Sequence, residues 1–275
     1  MEYGIFVHNV APLPCDPRTA CAALWRNILP PAPLRAIYFG SEFCELLLPD
    51  AAQVARYCNH ARDAGVDPVL LTPVATPNGL VTINKLLSDL IAAGDAPAIV
   101  FNDWGVANLL RESFPALERR AGRLINRGIR DPRMMANEPL SGDVSGERGK
   151  HLRSMLKGFG VSALETDSDL EGGFLGDGAE GMQRVLYLPY AYAASGRNCL
   201  IKADRSLSMD DCFTKGLNSP CSALCRGAAH RIDRSDTALP LWRAGNTVFF
   251  EVPKSSAEAH LAQTDRIVIH ERASP

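Results

Sequence analysis

Short apolar stretches that resemble β-strands alternate with helical stretches along most of the chain. The predicted strands are continuously apolar, as expected for strands that are buried on both faces of a sheet. They occupy residues 3–9, 34–40, 67–73, 96–103, 122–128, 160–167 and 182–192, and the helices residues 17–29, 50–65, 80–94, 105–115 and 149–160. Because the connections are short, neighbouring strands should be parallel and joined through helices. The pattern therefore predicts an α/β fold.

Roughly seven such units favour a closed (β/α) TIM-barrel-like fold over an open doubly wound sheet. The barrel could be irregular or incomplete. Two later strands are predicted at 247–253 and 265–271, and the second is placed to close the barrel. No strand is followed by a glycine-rich nucleotide-binding motif. We expect one barrel-like domain over residues 1–275, with an inserted polar loop at 131–150 and a cysteine-rich segment at 195–230.

Charge and hydropathy exclude several classes of function. The net charge is −2 and the pI is about 6.3, which gives no general electrostatic attraction to nucleic acid or anionic membranes. The first residues lack the basic and apolar regions of a secretory signal, and no apolar run approaches the ~20 residues that span a bilayer. We therefore expect a cytoplasmic protein whose thiols are kept reduced.

Half of the eight cysteines lie in the cysteine-rich segment, at Cys199, Cys212, Cys221 and Cys225, separated by 12, 8 and 3 residues. Thiolates are soft ligands that suit zinc or an iron–sulfur cluster. These irregular spacings favour a loop around a cluster over paired zinc knuckles, although spacing alone leaves zinc open. Cys44 follows the second predicted strand, at the barrel rim where active-site loops converge, and is a fifth candidate ligand.

Other polar residues end the predicted strands and are candidate substrate contacts or catalytic groups. Asn102 and Asp103 end the fourth strand, where Asp103 is equally well placed to cap the following helix. An arginine at a rim can hold a carboxylate or phosphate, and a pair of carboxyl groups can act as acid and base. The candidates for catalysis are Asp103, Asn126, Arg127 and Glu165, the last in a possible pair with Asp167. The alternatives are surface salt bridges and a solvated loop.

Three segments carry a resemblance to a known family: IYFGSEFC, NDWGVANLL and YLPYAYAASGRNC. Together they resemble the collagenase-like peptidase family U32, and within it the short branch of UbiV-type accessory proteins of anaerobic ubiquinone hydroxylation. The matching positions are Tyr38, Gly40, Cys44, Asp103, Gly105, Val106, Asn108, Leu188, Pro189, Ala191, Tyr192 and Cys199. No Ser/His/Asp triad or HExxH motif accompanies them, so proteolysis is not expected.

The resemblance implies a barrel fold and a [4Fe–4S] cluster held by Cys44, Cys199, Cys221 and Cys225. Cys212 departs from the family pattern and is an alternative ligand. The resemblance also implies oxygen-independent hydroxylation of a small, quinone-precursor-like molecule, in a heterodimer with a paralogous U32 protein. Two alternatives stay open: a non-catalytic scaffold subunit stabilised by a cluster or zinc, and an enzyme that hydroxylates RNA bases, against which the even charge balance counts.

Overall fold

Eight parallel strands form a closed barrel in the computed structural model, which describes residues 1–126, 144–168, 181–197, 199, 201, 220–237 and 239–270, with only the backbone of 144–150. The strands around the barrel are β1 (Glu2–Phe6), β2 (Leu34–Gly40), β3 (Asp67–Leu71), β4 (Ala98–Phe101), β5 (Arg119–Ala121), β6 (Val161–Asp167), β7 (Gln183–Leu188) and β12 (Arg266–Ile269). β12 pairs with both β7 and β1, so the last strand closes the barrel as predicted. The prediction of an α/β barrel is confirmed.

Helices cover the outer face of the strands. They are α1 (Ala23–Arg26), α2 (Ala51–Ala64), α3 (Pro77–Ala92), α4 (Trp104–Ser113), α5 (Val144–Gly158) and α6 (Lys254–Leu261). α2 begins at a capping box formed by Asp50 and Gln53 and ends at Gly65, whose φ of 66° is the left-handed conformation that favours glycine. Buried side chains of α2, α3 and α4 pack against outward-facing residues of β2, β3 and β4 in the largest hydrophobic cluster. None of the described helices is long and apolar enough to cross a membrane.

The barrel interior is polar at the end where the strands begin. Arg120 and Arg266 both donate hydrogen bonds to the Tyr38 hydroxyl, at 3.2 and 3.3 Å. Arg266 also forms an ion pair with Glu2 at 2.6 Å, and Gln183 bridges Arg120 and Glu2. Each buried charge therefore has a partner, as a buried ion requires. Above this network, apolar side chains from β1 to β12 fill the middle of the barrel.

A second sheet, which the sequence did not predict, stands beside the barrel mouth. It is antiparallel and contains β8 (Tyr190–Ser195), β9 (His230–Ile232), β10 (Leu241–Ala244) and β11 (Thr247–Glu251), in the order β8-β11-β10-β9. Its aromatic side chains pack on the loop after β2, where Phe43 contacts Tyr192 and Phe249 with ring centroids 5.3 and 5.4 Å apart. The sheet is thereby attached to the carboxyl ends of the barrel strands.

Several predicted boundaries were wrong. The fifth strand runs over Arg119–Ala121 instead of 122–128, because Gly122 begins a turn that carries the following residues over the barrel mouth. The predicted seventh strand is divided at Pro189 into β7 and β8, which belong to different sheets. The first predicted helix is a 3₁₀ turn (Pro17–Ala20) followed by α1, and α5 begins at Val144, inside the predicted loop 131–150.

Candidate functional site at the barrel mouth

The carboxyl ends of the barrel strands carry a fully buried arginine, Arg123, that the sequence analysis did not select. Its guanidinium group forms ion pairs with Glu42 and with Asp167, the latter at 2.8 Å. The guanidinium carbon also lies 4.1 Å from the centre of the Tyr187 ring. Glu42 follows β2, Asp167 ends β6 and Tyr187 is in β7, so this one side chain ties three strand ends together. The two carboxylates and the aromatic ring offset the free-energy cost of burying this guanidinium group.

The turn that carries Arg123 is shaped by Asn102 at the end of β4. The Asn102 side chain donates to the Thr72 carbonyl and accepts from the Leu124 backbone N–H, each at 3.0 Å. A Cβ atom at Gly122 would collide with the Asn102 amide group, so glycine is required for this close approach. Asn102, predicted as a possible substrate contact, is engaged on both sides in positioning the Arg123 turn.

Glu165 and Tyr187 lie deeper in the interior and His270 lies just after β12, and all three are buried. In the described part of the chain, neither Glu165 oxygen, nor the Tyr187 hydroxyl, nor Nε2 of His270 makes a hydrogen bond of ordinary geometry. Arg120 is the ionic neighbour of Glu165, at 3.8 Å. The Tyr187 and His270 rings are tilted against each other with centroids 5.3 Å apart. Among the described residues, the upper interior therefore holds buried polar groups without hydrogen bonds of ordinary geometry.

Burial shifts the acidity of these groups. It raises the pKa of Glu165 to about 7, although Arg120, Arg266 and the nearby Tyr187 hydroxyl oppose the shift. Burial also raises the pKa of Tyr187 well above its usual value. The pKa of His270 is held well below its usual value, first by burial and then by the positive charge of Arg123. At neutral pH the interior thus contains an uncharged imidazole and a carboxyl group near its own midpoint.

The loops that carry Cys44 and Cys199 are connected at this end of the barrel. Cys44 lies in the loop after β2, where the Ser41 hydroxyl donates to its carbonyl at 2.8 Å. Asn246, in the turn between β10 and β11, donates to the carbonyls of Phe43 and Gly196, both at 2.6 Å. This amide joins the loop of Cys44 to the chain that leads into Cys199.

Electrostatic effects between the thiols place four cysteines in one neighbourhood. The pKa of Cys44 is raised by burial and further by Cys221 and Cys199. Burial raises the pKa of Cys225 to about 11, and Cys199, Cys44 and Cys221 add to that shift. Charged groups influence one another in this way only at short range.

The four thiols suit a soft metal by their chemistry, but they do not form a closed site. Among the described residues, no group of three or more His, Cys, Asp or Glu side chains is arranged to hold a metal ion. The backbone N–H of Ala223, a residue with φ of 55°, donates to the Cys221 sulfur at 3.4 Å. Hydrogen bonds of this kind accompany thiolate ligands of metal centres. Ligation by these cysteines stays a prediction, and Cys212 lies outside the described residues.

The predicted catalytic residues are not brought together as a group. Asp103 caps α4 by accepting from the backbone N–H groups of Gly105 and Val106, so its carboxylate has the structural role that the sequence left as an alternative. Asn126 is buried in the turn after β5 instead of ending a strand, and Arg127 lies outside the described residues. Of the four, Glu165 lies in the barrel interior beneath the mouth. A catalytic role for any of them is still a prediction.

The functional candidates that the sequence analysis missed are Glu42, Arg123, Tyr187 and His270. Glu42, Arg123 and His270 each lie one or two residues after an observed strand, but only Glu42 also follows a predicted strand, so only its position was an available signal. Arg123 was read as part of the fifth strand, and this error in the strand boundary concealed its place on the rim.

A small cavity of about 90 Å³ opens at the mouth beside the cysteines. It lies between the ends of β1 and β2, the helix α2 and the residues after Cys225. His8, Gln53, Tyr57 and Arg226 supply its polar lining, and Val7, Leu47 and Pro49 its apolar lining.

The chain matches no known family model and no curated protein. Among solved structures, the U32 peptidase Mk0906 is similar with a TM-score of 0.45 and 11% identity, over 98% of this chain and 91% of that one. A family GH18 chitinase from Cycas revoluta in complex with allosamidin has a TM-score of 0.28 and 13% identity, over 86% and 75% of the two chains. A group IV chitinase from Ostrinia furnacalis, also in complex with allosamidin, has a TM-score of 0.29 and 7% identity, over 86% of this chain and 84% of that one. Similarity at this level assigns neither a family nor an activity.

Proposed function

We propose that the chain is an iron–sulfur protein of the U32 type, with a cluster at the mouth of its barrel. Cys44, Cys199, Cys221 and Cys225 would hold the cluster, with Cys212 as the alternative ligand. The observation that carries the proposal is the shared electrostatic neighbourhood of these four thiols, which come from separate segments of the chain. The quoted motifs include Cys44 and Cys199, and the family resemblance implies the same ligand set.

The cluster would support an oxygen-independent hydroxylation, or another redox step, on a small quinone-precursor-like molecule. When bound, it would supply one-electron chemistry, with a potential set by hydrogen bonds and exposure. The protein's own residues would fix the surroundings: Arg123 holds the strand ends in place, and the second sheet orders the loops that carry the cysteines. We expect the chain to act in the cytoplasm, with a paralogous U32 protein as heterodimer partner and without a membrane or nucleic-acid partner.

Metal and sulfide analysis of protein prepared without oxygen tests the proposal. We expect about four iron and four sulfide per chain, with broad visible absorption that is lost in air. Ser substitutions at Cys44, Cys199, Cys221 and Cys225, one at a time, should abolish or sharply reduce this content. Ser substitutions at Cys212, the alternative ligand, would show whether it replaces one of them.

Cys58→Ser is the matched control, because Cys58 is buried in the hydrophobic cluster between α2 and the barrel strands and the charged groups that act on its thiol are Asp95 and Arg62, not the other cysteines. It should retain the iron and sulfide of the wild type. A colourless protein that contains stoichiometric zinc would contradict an iron–sulfur function and leave the scaffold alternative. Full activity of the assembled complex with Glu165→Gln and Asp103→Asn would also favour the scaffold.

A further inference from the structure

The small cavity beside the cysteines has a preformed shape. On one side, the Tyr57 hydroxyl donates a hydrogen bond to the His8 carbonyl at 2.9 Å, and the Tyr57 ring stacks on Phe39 with centroids 4.7 Å apart. On another side, Gly40 ends β2 with a φ of 112°, and a Cβ atom there would collide with the Leu71 carbonyl. Because packed rings and backbone fix these walls, a ligand would enter the cavity without a large rearrangement.

The charged groups around this cavity are positive. Arg226 is an exposed residue directly after Cys225, in a turn where its backbone N–H donates to the Ala223 carbonyl at 2.9 Å. Within the described part of the chain, no carboxylate pairs with the Arg226 guanidinium group, and no lining residue is acidic. Burial raises the pKa of Tyr57, and the charges of Arg226 and Arg56 oppose this shift. A cation without a counter-charge beside a preformed cavity favours an anionic ligand.

The remaining lining residues favour a carboxylate with a short hydrocarbon tail. The Gln53 side-chain oxygen accepts from the Asp50 backbone N–H at 3.1 Å, which leaves the amide NH₂ group to donate. The Asp50 carboxylate caps α2, so an anion would be held by side chains and not by the helix terminus. An arginine binds a carboxylate through two parallel hydrogen bonds, and a hydrocarbon tail would contact the apolar lining of Val7, Leu47 and Pro49.

The volume of the cavity limits the size of the ligand. A cavity of about 150 Å³ holds a benzene molecule, so the present volume of about 90 Å³ has room for about four to six non-hydrogen atoms. Acetate and propionate are of this size, whereas an aromatic acid is too large. One arginine matches a single negative charge, which favours a monocarboxylate over a phosphate dianion.

We propose that this cavity is a binding site for a small monocarboxylate. Arg226 and Gln53 hold the carboxylate group, and the hydrocarbon end packs against the apolar lining. The site is separate from the proposed cluster and needs neither iron nor a partner chain. Because Arg226 and Gly227 belong to the turn that carries Cys225, the ligand also attaches this turn to α2.

Isothermal titration calorimetry of the full chain with sodium propionate tests the choice of ligand. At constant ionic strength and in a buffer without carboxylates, we expect one site with a Kd on the order of 1 mM. Propionamide, which has the same shape and no charge, should bind at least about tenfold more weakly, and so should inorganic phosphate and benzoate. Propionamide that binds as tightly as propionate, or phosphate that binds more tightly, would overturn the assignment of a monocarboxylate.

Substitutions at Arg226 test the location of the site. Because Arg226 is exposed, Arg226→Gln should fold normally and weaken propionate binding at least about tenfold. Arg226→Lys, which keeps the charge but not the planar donor pair, should bind with intermediate affinity. Arg231→Gln, at an exposed arginine paired with Asp233, is the control and should bind like the wild type.

Two results would overturn the site itself. One is wild-type affinity in Arg226→Gln, and the other is no binding of propionate at about 20 times the expected Kd. Iron and sulfide are measured on the same samples. Loss of propionate binding with iron present would leave the proposed function standing, and propionate binding by an iron-free chain would contradict only the cluster.

Discussion

The two ends of the barrel interior hold similar polar residues that differ in their hydrogen bonding. Where the strands begin, Arg120, Arg266, Tyr38, Gln183 and Glu2 satisfy one another with hydrogen bonds and an ion pair. Where the strands end, Arg123 is paired with Glu42 and Asp167, and beside it stand Tyr187 and His270, whose hydroxyl group and Nε2 make no hydrogen bond of ordinary geometry within the described residues. In barrel enzymes the first end contributes stability and the second carries chemistry. The proposed function follows the same division, with the cysteines at the second end.

The largest effect should come from removing the arginine that ties the mouth together. Arg123→Met leaves Glu42 and Asp167 buried without their counter-charge, and we expect a loss of about 3–5 kcal/mol in the free energy of unfolding. Urea denaturation measures the change. Lys85→Ala, which breaks an exposed ion pair with Asp89, should cost no more than about 0.5 kcal/mol. Equal losses in the two variants would contradict a structural role for Arg123.

Glu165→Gln should stabilise the protein in a pH-dependent way. The pKa of Glu165 is higher in the folded chain than in the unfolded chain, so the folded state binds the extra proton and its stability falls as pH rises from about 4.5 to about 7. The variant lacks this loss and should be more stable by on the order of 3 kcal/mol at pH 8, and little changed at pH 5. Urea denaturation at the two pH values measures this. A variant that is destabilised equally at both pH values would show that Glu165 is an ordinary paired carboxylate.

Two buried tyrosines, Tyr38 and Tyr187, allow a direct comparison of the two ends of the barrel interior. Tyr38→Phe removes an acceptor of two hydrogen bonds from arginines and should cost about 1.5–3 kcal/mol. Tyr187→Phe removes a hydroxyl group that makes no hydrogen bond of ordinary geometry within the described part of the chain, and it should cost no more than about 0.5 kcal/mol at pH 6, where Glu165 is mostly protonated. Thermal or urea unfolding of the pair measures the contrast. If the two losses are equal, the proposed difference between the ends is wrong.

The smallest change in stability should follow from a substitution that removes hydrogen bonds at the barrel mouth and leaves the interior residues unchanged. Asn246→Ala removes the hydrogen bonds to Phe43 and Gly196 that connect the second sheet to the cysteine loops. We expect a loss of about 1 kcal/mol in stability, together with weaker retention of metal under a chelator. Asn84→Ala, on the exposed face of α3, is the control and should leave metal retention unchanged. Unchanged retention in Asn246→Ala would separate the second sheet from the cysteine site.

The barrel could be predicted from the sequence because the alternation of strands and helices is repeated along the chain. Continuous apolar strands and capped helices such as α2 recur along the chain, and an error in one element does not change the architecture. The closing strand β12 was also predicted, because RIVI within DRIVIHE is a short apolar run that follows the other barrel strands. The second sheet was not, because the break at Pro189 lies within one continuous apolar stretch and local propensity does not reveal a change of sheet.

The candidate site was predictable only in part. Cysteines are rare and chemically distinctive, so their clustering and the place of Cys44 at the predicted rim gave five candidate ligands. The family resemblance then implied the set Cys44, Cys199, Cys221 and Cys225, and ligation by them stays a prediction. Arg123 and His270 carry no motif, and their roles depend on which strand ends meet across the barrel. Whether a carboxyl group such as Glu165 is paired or isolated depends on side chains from several strands, which a linear pattern does not contain.

Native mass spectrometry of the intact chain, purified without oxygen, tests the central claim that four cysteines share one inorganic centre. Our account predicts a single species heavier than the polypeptide by one [4Fe–4S] unit, which reverts to the bare mass when any one of the four ligands is replaced by serine. A chain found only without metal, or with a zinc ion that survives replacement of Cys44 or Cys199, would contradict it.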